Sequence, residues 1–542
     1  MAPNLLELSN RWKRLARLVP AGKPVLARVV VEILEDRTLP SVTVGVSVDG
    51  MNTTNNSCNC QPPDTIAAAG PNHIVHMVNT AIEIFNKDGT VAVAPQSLLT
   101  FFSNHVNANQ SDPFVVYDEA AGKFVVGILD FPATGAGFTD LATGVDSPSG
   151  ITWTLAAPLP DGDGNNFTDY PRVGWNADAI FISYNMFSNS FVHVQTVTLD
   201  TNLNLISRHF DTTGLFTLTP AVMHGSAPGG PEYFVESANG GASTLDVTTE
   251  TNVLSSMPTF TNASVPVPSY SNGGAAPQGV VAFDDRIFNV AYRTVNGVDH
   301  LVAAHQVAGG KGKGGGPVAR WYDINAATDT LIQSGNAPAG VNGAATFMPS
   351  VDINTAGSIG MTFGESAKKE FWSMYVTERT ASDRAGTMEA AVKVASGVAK
   401  SPDSRVGDYS ATTVDPSDGL TFWSANEYQG TDFWDTHIAS FSIAGAVHNP
   451  PAVSTVTIGV PSAQVTLPDV MASLVLSGSN HGVMSTTLGQ PVFVSAERIA
   501  FGQVVAASPA ASSISSTPAL VSRAIDTFWS DLFNTGLQYL GI

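Results

Sequence analysis

The chain has 542 residues, with 25 Lys and Arg against 46 Asp and Glu, a net charge of −21. That balance excludes a nucleic-acid binder, which needs a cationic footprint. Only 13% of residues are charged and 43% are hydrophobic, so the chain is no acidic disordered polymer and can bury a large core, while 49 Gly and 33 Pro suit a fold rich in turns.

Residues 1–41 read as a basic leader on an acidic body, since residues 1–40 hold seven basic side chains against four acidic ones. Leu5 to Val19 has the spacing of an amphipathic helix. The best apolar run, Val25 to Leu34, is broken by Arg28 and Glu32, unlike the centre of an ordinary signal peptide. No apolar stretch is long enough for a transmembrane helix. The leader ends Ile33-Leu34-Glu35-Asp36-Arg37-Thr38-Leu39-Pro40. This resembles the Leu-Glu-x-Arg leader of exported bacterial proteins, best known from planctomycetes, with Asp36 where the common form has Pro. The resemblance implies an exported protein, extracellular or held in the cell envelope. The same residues also read as a plain helix followed by a linker.

From residue 63 onward one unit recurs: a Pro, a short strand, a tight turn and a second strand. Pro113 to Asp118, the turn Glu119 to Gly122 and Lys123 to Leu129 make a clear copy. Others start at Pro63, Pro171, Pro220, Pro277 and Pro349, and the last starts at Tyr409. In the fifth copy Pro277 leads through Val281 to a turn at Asp284-Asp285 and a second strand Ile287 to Ala291. The Pro spacings are 50, 58, 49, 57 and 72, and 60 more residues reach Tyr409. Such a period, with four strands per copy, predicts an all-β fold: a seven-bladed β-propeller of four-stranded antiparallel blades.

Outer strands are expected at Leu141 to Val145 and Ile151 to Leu155, at Phe191 to Leu199 and Leu205 to Phe210, at Leu301 to Val307 and Val318 to Asp323, and at Glu370 to Thr377 and Met388 to Val394. The seventh copy has Thr436 to Ile443 as its third strand. Val42 to Val48 alternates with period two and supplies its fourth, closing the ring and removing exposed edges; Val453 to Ile458 is the rival. The propeller therefore spans 42–446. Residues 447–516 read as a Ser/Ala/Pro-containing linker with some strand content, and 517–542 as an amphipathic helix capped by Thr517-Pro518.

The turn Asp146-Ser147-Pro148-Ser149-Gly150 with Trp153 resembles a degenerate Asp-box of sialidase-type propellers, with Pro148 at the aspartate position. More broadly, 63–446 resembles a group of uncharacterised exported bacterial propellers. The phrases that carry this are Pro62-Pro63-Asp64-Thr65 with Gly70-Pro71-Asn72-His73, Asp112-Pro113, Asp169-Tyr170-Pro171, Gly407-Asp408-Tyr409-Ser410 and Asn426-Glu427-Tyr428. The resemblance implies the fold and carries no activity.

His-Glu-x-x-His, Gly-x-Ser-x-Gly and Walker signatures are absent. Asp64, Asp112, Asp169 and Asp408 lie beside the repeat landmarks, which in a propeller converge on the channel mouth. There they either bind a cation or polar ligand or cap a neighbouring blade's backbone. A sialidase-like enzyme needs arginines for a carboxylate, a Tyr/Glu pair and an acid; Arg172, Arg293 and Arg405 with Glu427 and Tyr428 are the candidates. Asp161, Asp163, Asn165 and Asp169 have oxygen-ligand spacing that suits Ca²⁺, although Arg172 stands where an EF-hand has Glu; they also read as an ordinary Gly/Asp-rich loop. Cys58 and Cys60 form a small ring or stay unpaired. The expected function is a binding or scaffold module for a glycan or surface protein, with a glycoside hydrolase of the channel face as the alternative.

Overall fold

The computed structural model describes residues 41–443, apart from 56–59, 133–136, 165, 189, 212–213, 283, 310–315, 403–404, 406 and 432, together with three short strands beyond. The leader helix, the terminal helix 517–542, Cys58 and the central part of the Gly-rich loop at 310–315 lie outside those residues. The described body is mostly strand with almost no helix, and none of its helices is long and apolar enough to cross a membrane.

The strands follow one another as antiparallel units, and short parallel pairings, Trp175 with Val222 and Ala221–His224 with Val290–Arg293, join the middle ones into a twelve-stranded sheet. The first is β2 (Ile66–Ala69), β3 (His73–Val78), β4 (Ala81–Asn86) and β5 (Val91–Ser97). The second is β6 (Asn109–Asp118), β7 (Lys123–Phe131), β8 (Phe138–Ser147) and β9 (Gly150–Leu155), with β10 (Leu159–Pro160) also on β8. The third is β11 (Phe167–Trp175), β12 (Ala179–Phe187), β13 (Phe191–Asp200) and β14 (Leu205–Asp211). The fourth is β15 (Thr219–His224), β16 (Glu232–Ser237), β17 (Thr244–Thr251) and β18 (Thr259–Pro266). The fifth is β19 (Asn289–Val295), β20 (Val298–Ala308), β21 (Pro317–Asn325) and β22 (Thr330–Asn336). The sixth is β23 (Ala345–Ile353), β24 (Ile359–Ala367), β25 (Glu370–Arg379) and β26 (Val392–Ala395). The last is β27 (Ala411–Val414), β28 (Phe422–Gln429) and β29 (Trp434–Ile443), completed by β1 (Val42–Asn52).

Pairing of β1 with β29 runs from Val42 opposite Ile443 to Asn52 opposite Asp435. The N-terminal strand, not Val453 to Ile458, thus fills the outer place. Neighbouring units meet through apolar layers, and the layer between last and first joins Ala67, Ile74 and Phe85 to Trp423, Ala425 and Ile438. Lys87 and Asp415 add an ion pair of 2.6 Å across the same junction. The second strands lie between two such layers and are buried on both faces, β24 throughout. That explains why they read as unbroken apolar runs such as Ile180-Phe181-Ile182, whereas outer strands such as β5 and β18 are largely exposed.

The fifth unit departs from the sequence reading by one strand. Ile287 to Ala291 overlaps the innermost strand, not the second, and Leu301 to Val307 belongs to the second. Its hairpin turn is Asn296-Gly297, both at positive φ, between the opposed Val295 and Val298. Asn-Gly is the stronger hairpin signal because both positions tolerate that conformation. Asp284-Asp285 instead lies in the lead-in, where Asp284 holds Arg286. The fourth strand, β22, was not anticipated. Within 447–516, Ala472–Leu476, His481–Thr486 and Pro491–Ser495 form an antiparallel three-stranded sheet.

Removing residues 41–52 is expected to leave β29 as an open edge. The measurable outcome is concentration-dependent association in light scattering and a broadened, lower thermal transition.

Candidate functional site

The seven innermost strands surround a narrow channel, each contributing wall residues: Ala67, Val115, Val173, Val222, Val290, Ser350 and Thr412 among them. Its cavity is about 70 Å³. That is room for a couple of waters at roughly 30 Å³ each, against the roughly 300 Å³ at the lower end of small-molecule sites. Ligand chemistry therefore belongs to the ends of the channel.

At the end where the inner strands begin, the mouth, the repeat landmarks have a structural cause. Asp112, Tyr170 and Met348 each precede a Pro and each has positive φ. Each sits in a break of register, between Ser111 and Phe114, Asp169 and Arg172, and Phe347 and Ser350. A bulge needs no ladder donor from the Pro, and it turns the preceding side chain out of the sheet. The preceding unit caps two of the freed amides: Asn79 Oδ1 accepts from Asp112 N–H (2.8 Å) and Gln306 Oε1 from Met348 N–H (3.0 Å).

These bends bring four acids together. Asp64 Oδ2 accepts from Asn79 Nδ2 (2.5 Å), and its Oδ1 from the Asp408 N–H (3.3 Å). Asp112 accepts from Ser111 Oγ (2.5 Å) and from the Tyr409 hydroxyl (2.9 Å). Asp408 accepts two bonds from the half-exposed Arg405, at 2.7 and 3.0 Å. Arg172 is buried, its guanidinium 4.2 Å from the Tyr170 ring and 4.4 Å from the Tyr409 ring. It donates to the Tyr170 hydroxyl and to the Asp408 carbonyl (3.0 Å). Arg286 also lies over the Tyr170 ring at 4.2 Å and is held bidentately by Asp284 at 2.7 Å.

Asp169 differs from the other three. Among the described residues no group donates to its carboxylate, which is half-buried with solvent access. Burial, then the negative charge of Asp112, pushes it up to about 7, against the opposing pull of Arg286. Asp64 is raised well above the usual carboxylate range by burial and by Asp408 and Asp112. Burial raises Asp408 despite Arg405.

Of the sialidase-like set, Arg172, Arg405 and Glu427 come together around Asp408, while Tyr428 and Arg293 do not join them. Glu427 is 1% exposed, accepts from the Gly407 N–H (2.8 Å), and burial raises it well above its ordinary range. Tyr428, next on β28, leaves the opposite face and reaches Asp49 (3.2 Å). Arg293 lies at the far end of its strand and donates to the Ile353 carbonyl (2.9 Å), away from Arg172 and Arg405. The described members of the calcium set are held by separate partners. Asp161 accepts from the Gly137 N–H (2.7 Å) and Thr168 hydroxyl (3.0 Å). Asp163 accepts from Asn166 (2.7 Å) and lies 3.0 Å from His193. Asp169 faces the mouth, because Thr168 and Asp169 leave opposite faces of β11, and Asn165 lies outside the described residues. Among the described residues no three His, Cys, Asp or Glu are grouped to hold a metal ion. Cys60 is disulfide-bonded.

Arg286, Tyr170 and Tyr409 were not among the sequence candidates. Tyr170 and Tyr409 sit beside aspartates at the repeat landmarks, and that adjacency was the available signal; Arg286 had none.

His224 lies at the opposite end of the inner strands. This buried ring donates to Glu119 (2.8 Å) in the second unit and Asp352 (3.0 Å) in the sixth, bridging the channel from the fourth. Asp352 Oδ2 also accepts from Val414 N–H (2.9 Å). Burial opposes charge on the ring, but Asp352 and Glu119 outweigh it and hold the pKa at about 9.

No protein-family model matches the chain, and no curated protein does. Among solved structures it is similar to a protein of unknown function from Dyadobacter fermentans at 10% identity, covering 63% of this chain and 97% of that one, with a TM-score of 0.36. It is similar to Trypanosoma rangeli sialidase at 11% identity, covering 76% and 71%, TM-score 0.35. An α-L-arabinofuranosidase from Lactobacillus brevis follows at 13% identity, 61% and 90%, TM-score 0.29. No residue role is carried over from them.

Two outcomes are expected. The His224 bridge is fully present below the ring's unfolded pKa of about 6.5 and is lost as pH rises through about 9. Chemical denaturation from pH 6 to 10 should therefore show wild type losing stability across that window and His224→Gln losing much less. Because protein donors already engage Asp161 and Asp163, millimolar Ca²⁺ and chelator should give the same melting temperature.

Proposed function

We propose that residues 42–446 are one seven-bladed β-propeller, that the basic leader directs export, and that the protein is a binding or scaffold module. It takes a glycan or protein ligand at the channel mouth. One observation carries this reading: Asp64, Asp112 and Asp408 are tied to protein donors, while Asp169 stands at the rim without one. An acceptor left open beside a rigid, cross-braced cluster is a recognition group, since its position is fixed before a ligand arrives. A sialidase-like hydrolase needs its Tyr and Glu together at the substrate. Here Glu427 is enclosed and bound to backbone, while Tyr428 leaves the opposite face of the strand toward Asp49. This favours binding over catalysis.

The test combines a printed glycan array and an extracellular-protein array with a panel of chromogenic glycosides. Saturable binding without turnover is expected, weakened by Arg405→Glu at the mouth and unaffected by Val93→Glu on an outer strand. Turnover that disappears in Glu427→Gln would establish the hydrolase instead.

A further inference from the structure

We infer that the mouth carries a subsite for an electrically neutral glycan, formed by a shelf of phenylalanines beside Asp169. The inference rests on the reading of the mouth as the binding face. Phe167 and Asp169 are two residues apart on β11, which is regular between them, so both side chains leave one face of the strand. Phe167 lies opposite Phe187, and Phe187 opposite Phe191, with ring centroids 5.8 and 5.9 Å apart. Phe216, from the segment leading into β15, adds a fourth ring 5.0 Å from Phe191. Phe167 is 45% exposed, and the other three keep part of their surface in solvent. Arg286 stands 5.1 Å from the Phe216 ring and 4.2 Å from Tyr170, so the shelf runs directly into the charged cluster.

A row of apolar rings ending at an open hydrogen-bond acceptor has the two-sided character of a sugar. A pyranose offers a face of C–H groups to stack on rings and hydroxyls to donate to a carboxylate. Charge then selects among glycans. The ionisable groups acting on Asp169 are Asp112 and Asp408 on one side of the balance and Arg286 and Arg405 on the other. The open acceptor that an arriving group meets there is the Asp169 carboxylate, held among Asp112 and Asp408. A hydroxyl donates to it at no electrostatic cost. A carboxylated sugar sets a second anion beside it in a partly dehydrated site and is disfavoured. A basic peptide, the competing class, meets two arginines, and Arg286 already lies against the Phe216 ring.

The experiment is calorimetric titration of the full chain with maltopentaose, cellopentaose, mannopentaose, chitopentaose, 3′-sialyllactose and oligolysine. At least one neutral pentaose is expected to bind. Phe167→Ala and Asp169→Ala should each weaken it about tenfold or more, and Phe167→Tyr should retain it. Both sites lie at the rim, and unchanged melting temperatures would confirm folding. If Arg405→Glu weakens binding while Phe167→Ala and Asp169→Ala do not, the shelf falls and the mouth reading stands. If all three leave glycan binding unchanged, the mouth reading falls too. Tighter binding of 3′-sialyllactose or oligolysine than of every neutral pentaose, or no neutral pentaose bound at all, overturns the inference.

Discussion

The mouth depends on bends in the inner strands. A straight strand sends alternate side chains into the two apolar layers beside it and none toward the axis end. The left-handed residues Asp112 and Tyr170, each locked ahead of a Pro, break that alternation where the strand reaches the mouth. Each break frees an amide and redirects a polar side chain. Asn79 then joins two units at once, donating to Asp64 and accepting from Asp112. The stacked Tyr170 and Tyr409 rings, 5.1 Å apart, hold the Arg172 guanidinium against them. Aromatic faces and a buried cation let four carboxylates occupy one small region without forcing it open.

The same economy accounts for much of the acidic composition. Buried carboxylates serve as acceptors for backbone amides that the ladders leave unpaired: Glu232 for Ala221, Glu365 for Gly340 and Val341, Asp130 for Val106 and Asn107. A carboxylate does this well because it accepts several bonds at once. Asp146 goes further, taking the Asn72 and His73 amides of the neighbouring unit and the His73 ring. The turn that resembles an Asp-box is thus a fastening between units.

The architecture was legible because its determinants are local. Second strands buried on both faces give apolar runs, and hairpins give turn residues at regular distance. The fifth unit was misread where a decoy, Asp284-Asp285, preceded the real Asn296-Gly297 turn. The site was legible only in part. The aspartates were visible as repeat neighbours of Pro. Their partners were not, because Arg286, Tyr170 and Tyr409 come from three units and meet only through the bends. The Tyr/Glu pair failed for a simple reason: consecutive residues of one strand cannot share a face. The phenylalanine shelf left no periodic trace, since its rings come from three strand ends and a lead-in segment.

The outer strand of the last unit is the first to be made. Val42 to Asn52 finds its partner only when residues 434–443 exist, almost four hundred residues later. A ribosome releasing the chain from its N-terminus therefore exposes an alternating, unpaired β1 throughout synthesis. Units in the middle can form hairpins as they emerge, yet the ring cannot lock until its end arrives. Completion is a single late event with a high loop-closure cost, and until then the chain stays open and threadable.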